Sequence, residues 1–272
     1  MKKRNLYGGK VEMTFNPNNH QYKINGQAGQ ISVTAATGML NKPNLIQWAA
    51  DLSAIAGLNA DKVEGIKKEF DAIQEIEDWK EKKDAKLLLG IKYPIYKEVR
   101  LAHKDVKDKA ANLGSLVHEW CEQYILSKIA GGEEPQKPKV KEVLNGVIAF
   151  LDWVSDKKVK FLDTELLVYS KKHKFCGLMD CKIKIGKTIH CLDLKTSSGV
   201  FNEMLYQVSA YQEADAEESG IVFGSTFILR LDKKTGEFES HTIPVEDHAK
   251  NFKAFVGLLA VSRREKELKK KK

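Results

Sequence analysis

The chain has 272 residues and is 42% hydrophobic, enough for one large globular domain or a core domain with a helical insertion. Its 45 Lys and Arg against 37 Asp and Glu give a formal net charge of +8, which favours an anionic partner such as nucleic acid over a neutral metabolite. Only four cysteines, no apolar segment behind the basic "MKKRNLYGGKVEM", and no run approaching about 18 apolar residues argue against a disulfide scaffold, a secretory signal and a membrane span; a cytoplasmic protein is expected.

In chain order, "MKKR" at the start and "KELKKKK" at the end read as solvated lysine-rich tails. "MTFNPNNHQYKINGQ" alternates and turns like a β-hairpin around Asn16 to Asn19, and Ser32 or Thr34 is placed to cap a helix through "TAATGMLN". From Pro43 the pattern is helical: "NLIQWAADLSAIAGL" is apolar, and residues 59–110 form charged amphipathic helices broken near Gly90 to Pro94. The helix "AANLGSLVHEWCEQYILSKIA" follows, stopped by Gly131 and Gly132, and one more helix is expected at about 139–156. The period then changes from near 3.6 to 2. "TELLVYS", "FCGLMDCKIKI", "TIHCLDLK", "IVFGSTFILRLD" and "EFESHTIP" read as strands, with one helix, "NEMLYQVSAYQEADAEESG", between the third and fourth. That order predicts an α/β fold: a mixed sheet with an antiparallel meander and a helical crossover, flanked by helices of the N-terminal half.

The second and third strands carry the chemistry. A two-residue Gly186–Lys187 turn sets Ile185 opposite Thr188, and counting back from that pair puts Asp180 opposite Asp193. Directly opposed side chains share a face with Cβ atoms roughly 5 Å apart, where like charges destabilise a sheet and a cation between them reverses the sign. Alternation adds Lys195 to that face and turns Leu192 and Leu194 into the core. The competing account is a surface cluster in which Lys182, Lys184 and Lys195 neutralise the aspartates. The same alternation puts Cys176 and Cys181 on opposite faces, which argues against zinc and for small buried hydrophobes.

The ordered motifs "GSLVHE", "TELLVYS", "GLMD", "DLKTS" and "QVSAY", with the leader "SVTAATGMLNKPNLIQWA", resemble the PD-(D/E)XK nuclease superfamily and its RecB-like, phage-exonuclease branch over about residues 31–231. Met179 stands where the superfamily name puts Pro, a change that branch commonly tolerates. The resemblance implies one nuclease domain over 1–272, with a helical region at 43–110, a catalytic core at 111–245, and a C-terminal helix and basic tail at 246–272. It implies a DNA nuclease working from DNA ends; a structure-specific or nicking endonuclease and a non-catalytic recombination scaffold stay open, as does a recombination or replication protein as partner. Asp180 and Asp193 are the implied Mg²⁺ or Mn²⁺ ligands, and hard carboxylate oxygens suit those ions. Lys195 is implied either to stabilise developing charge or to deprotonate the nucleophile. His118 is an implied third ligand, with Gly114 and Ser115 one turn back as a small-residue surface that lets a metal or DNA backbone come near. Glu165 is a second-rank catalytic candidate whose competing account is an ion pair with a nearby Lys. Gln207 and Tyr211, at i and i+4, match the Q-x-x-x-Y helix, and Thr196, Ser197 and Ser115 are candidates for phosphate contact. Relatives with an iron–sulfur cluster carry cysteines after that helix; this chain has none beyond Cys191, so no cluster is expected. In the charged helices, Lys92, Lys97 and Arg100 would guide a strand, with Trp79 or Tyr93 stacking on bases.

Overall fold

The computed structural model describes residues 1–40, 46, 49–51, 53 and 64–270. They form a mixed α/β structure in which a mixed sheet is flanked by helices. The chain divides into two compact units, one of Met1–Leu40 with Leu113–Lys272 and one of Asn41–Asn112. Most of the apolar stretch 44–58 lies outside the described residues.

The first unit opens with an antiparallel sheet of β1 (Lys2–Leu6), β2 (Val11–Asn16), β3 (Gln21–Ile24) and β4 (Gln27–Ala28), in that order. "MKKR" is not the solvated tail expected but the start of a strand. Lys2 to Leu6 pair with Phe15 to Val11, and Leu6 is buried beside Val11, Met13 and Phe15. Lysine is common on edge strands, so a lysine count does not separate a tail from an edge.

The second sheet runs β10 (Phe238–Ile243), β9 (Thr226–Leu231), β8 (Thr188–Lys195), β7 (Phe175–Ile185), β5 (Ile31–Ser32), with β6 (Lys160–Ser170) along the other edge of β7. β6, β7 and β8 are an antiparallel meander, whereas β8 and β9 are parallel. A parallel pair needs a crossover, supplied by α6 (Asn202–Ser219), which ends at Gly220 in the left-handed conformation. The expected strand at 221–232 begins only at Thr226, because Gly224 instead donates its N–H to the Ile189 carbonyl.

Both faces of this sheet are covered. Val117, Phe150 and Trp153, from α4 (Pro94–Ala130) and α5 (Lys141–Lys157), pack with Cys181, Ile183, Leu192 and Leu194. Tyr211 and Ala214 of α6, Val33 of α1 (Val33–Thr37) and Phe255 of α7 (Val245–Lys270) pack with Met179 and Cys191. Ser32 caps α1, its Oγ accepting the Ala35 N–H. α4 is one helix where two were expected, since Gly114 lowers helix propensity by about 1 kcal/mol without breaking the ladder. α7 carries the terminal lysines to Lys270, so the basic C-terminus is helical there, its charges suited to the negative end of the helix dipole.

In the second unit, α2 (Glu64–Gln74) and α3 (Trp79–Lys92) pack together, with Asp78 capping α3. No helix among the described residues is long and apolar enough to cross a membrane.

Candidate active site

β7 and β8 pair from Ile185↔Thr188 to Cys181↔Leu192, the register expected from the Gly186 turn. One further step sets Asp180 against Asp193, but the ladder stops before it. The Asp180 carboxylate takes over there: its Oδ2 accepts the Leu194 N–H at 2.8 Å. The edge of β7 is shared by two strands, β5 at Phe175 and Cys176 and β8 from Cys181 onward. Asp180 therefore sits in a fork, on a stretch of edge that neither strand pairs.

Side-chain alternation inverts at the same place. Met179 packs with Tyr211 and Ala214, yet Cys181, two residues on, packs with Val117 and Phe150. On β6, Glu165 lies between the pairs Thr164↔Cys181 and Leu166↔Met179, opposite Asp180, with φ at 49°. Strict alternation therefore does not hold across the cysteines of β7. Cys176 sits with Leu167 and Tyr169, Cys181 with Val117 and Phe150, and Cys191 with Tyr211, so three separate clusters, rather than strict alternation, part the thiols. All four cysteines are buried and free.

The sequence gathers the aspartates and Lys195 on one surface, away from Leu192 and Leu194, but that surface is covered. Asp193 is 1% exposed, because α6 covers that face of the sheet. Lys195 Nζ pairs with Asp193 Oδ2, while the buried Oδ1 of Asp193 has no hydrogen bond among the described residues. Burial pushes Asp193 up to about 6, a rise that Lys195 opposes and Asp180 adds to. Burial also raises Asp180 against the pull of Lys195 and the Leu194 N–H. Burial alone would lower the Lys195 ammonium, but Asp193 and Asp180 outweigh it and hold the group above its ordinary range. Of the lysines offered as neutralisers, Lys195 does pair with an aspartate of the site, whereas Lys182 pairs with Asp215 of α6 at 2.6 Å.

His118 of α4 brings Nδ1 to 3.9 Å from Asp180 Oδ2. Burial, followed by the nearby Lys195, pushes this imidazole down to about 4, so it is neutral at physiological pH, the form that binds metals. Glu165 is pushed up to about 7 by burial and by Asp180. Its carboxylate is held by Lys2 Nζ at 3.1 Å, and the same ammonium lies 2.7 Å from Glu122 of α4.

Gly114 was expected to open α4 to a metal or a DNA backbone. Instead Thr196 fills the space: a Cβ at Gly114 would lie 2.5 Å from Thr196 Oγ1. Ser197 Oγ donates to the Gly199 carbonyl, closing a turn, and Ser115 is exposed on α4. Gln207 donates to Tyr211 Oη at 2.7 Å, and the Tyr211 ring lies over Gly177, three residues before Asp180. In the second unit, Lys92 and the Tyr93 hydroxyl both contact Glu69 and Trp79 is exposed; the side chains of Lys97 and Arg100 lie outside the described residues.

Among the described residues, no three His, Cys, Asp or Glu side chains already stand in metal-ligand geometry. The residues nevertheless fit a hard cation, because Asp193 presents a buried Oδ1 without a hydrogen bond among the described residues, next in register to Asp180. Mg²⁺ keeps several of its waters and needs only one or two protein carboxylates. Lys2 and Glu122 were missed from the sequence. Glu122 had a signal, four residues after His118 on one helix face, whereas Lys2 had none. No known protein-family model matches this chain, and neither does any curated protein sequence.

Proposed function

We propose that the chain is a divalent-metal-dependent DNA nuclease with a PD-(D/E)XK-type core, hydrolysing phosphodiester bonds from DNA ends. The observation that carries this reading is the buried Asp193 carboxylate, its Oδ2 on Lys195 Nζ and its Oδ1 without a hydrogen bond among the described residues, set beside Asp180 at the fork of β7. A structural ion pair has no need of two adjacent desolvated carboxylates, whereas a cation site does.

Asp180 and Asp193 would hold Mg²⁺ or Mn²⁺, with the neutral His118 imidazole in reach of Asp180. When bound, such an ion polarises a phosphoryl oxygen and lowers the pKa of a coordinated water. The raised pKa of Lys195 keeps its ammonium charged, which favours stabilising negative charge on the phosphate over abstracting a proton. Leu194 fixes the Asp180 carboxylate through its N–H. Tyr211, bonded to Gln207 and packed on Gly177, positions the strand that carries Asp180. Preference for DNA ends rests on the RecB-like resemblance of the motifs.

The test is Mg²⁺-dependent digestion of end-labelled linear DNA beside covalently closed circular DNA, with Lys195→Ala in parallel. Loss of the linear substrate alone, abolished in the variant, is the expected result. Cutting of the circle would make it an endonuclease, and no cleavage with either Mg²⁺ or Mn²⁺ would refute the enzymatic reading.

A further inference from the structure

Lys2 stands among three carboxylates. Its Nζ is 2.7 Å from Glu122 Oε1 and 3.1 Å from Glu165 Oε2, and its charge also acts on Asp180. It does not arrive there on a loose end: β1 is fixed by pairing from Lys2↔Phe15 to Leu6↔Val11, and Leu6 is buried. The partners are equally constrained. Glu165 holds a left-handed φ of 49°, a conformation unfavourable for a non-glycine residue, at the point in β6 opposite Asp180. Glu122 follows His118 by one turn of α4, on the same face.

Paired metal sites place their ions about 3.5–4 Å apart with oxygen ligands around both. Beside Asp180 and Asp193, Glu165 and Glu122 bring further carboxylate oxygens together, and one ammonium already holds both. We propose that Lys2 is a tethered cation standing where a second divalent ion would bind, so that the site takes one metal ion and Lys2 sets that number. This rests on the metal-dependent reading above. Lys2 neutralises Glu165 and Glu122 with a charge that cannot exchange with solvent, and leaves Asp180 and Asp193 to the exchangeable ion.

The experiment counts Mn²⁺ ions on the folded protein without DNA, by calorimetric titration and by low-temperature electron paramagnetic resonance. Wild type takes one Mn²⁺, with the spectrum of an isolated ion. Lys2→Met takes two and shows an exchange-coupled pair, Lys2→Arg keeps one, and adding Glu165→Gln to Lys2→Met returns the count to one. Lys2→Gln is a second neutral variant, and circular dichroism checks that β1 still docks. One ion in wild type and in both neutral variants, or two already in wild type, overturns the role of Lys2 and leaves the metal site standing. No Mn²⁺ on wild type overturns the site and the inference together.

Discussion

Gly177→Ala tests whether Tyr211 positions the strand of Asp180. A Cβ at residue 177 would lie 2.5 Å from Tyr211 Cε1, 3.0 Å from Cδ1 and 3.1 Å from Val33 Cγ2. The ring cannot swing clear, since Tyr211 is 3% exposed and its hydroxyl is tied to Gln207. Within a strand, Ala would otherwise gain roughly 0.5–1 kcal/mol over Gly. Overpacking a filled core costs typically about 1–3 kcal/mol, so the clash wins and a net loss of about 1–2 kcal/mol is expected. β7 relieves the contact by moving away from α6, which displaces Asp180 three residues along and weakens Mn²⁺ binding by about tenfold if the carboxylate shift costs ~1.4 kcal/mol. Urea denaturation gives the stability and calorimetry the affinity. Trimming the ring in Gly177→Ala/Tyr211→Leu removes the clash, so the double variant is more stable than the sum of the single changes by at least about 0.5 kcal/mol. Strict additivity, or a Gly177→Ala protein as stable as wild type, would refute the reasoning.

Glu165 makes a pH prediction. Its carboxyl is raised from 4.5 to about 7, so the folded state binds the proton more tightly than the unfolded chain. Stability of the metal-free protein therefore falls as pH rises from about 4.5 to 7, by up to about 3 kcal/mol, and Asp193, raised from 3.8 to about 6, adds the same sign at the acid end. Melting temperatures recorded across this range should show a flatter profile for Glu165→Gln; an unchanged slope would remove Glu165 as the source. Asp215→Ala leaves Lys182, itself 8% exposed, without its 2.6 Å partner and is expected to cost about 3–5 kcal/mol in urea denaturation. A loss below about 1 kcal/mol would mean that Lys182 reaches another acceptor.

Much of the candidate site was legible because it is local. The Gly186 turn fixes the β7–β8 register, which holds from Ile185↔Thr188 to Cys181↔Leu192, one step short of Asp180 and Asp193. Gln207 and Tyr211 share a helix face by spacing alone. The surroundings were not legible. Alternation gathered the charges on one surface without showing that α6 covers it and buries Asp193, and the inversion between Met179 and Cys181, at the fork of β5 and β8, is something no period-2 count contains. Gly114 was read as room for a ligand because a sequence shows a missing side chain without showing that Thr196 fills the gap.

By itself, then, the sequence determined the elements: hydrophobic period, turn glycines and helix stops act over a few residues, and these set β6 to β10, α5 and α6. Only the tertiary structure decided which charges meet. Lys2 reaches Glu165 across 163 positions and Lys182 reaches Asp215 across 33, contacts set by how β1 and α6 pack on the central sheet. Desolvation, the largest influence on Asp180, Asp193, His118 and Glu165, is likewise a property of what covers a residue and not of its neighbours in the chain.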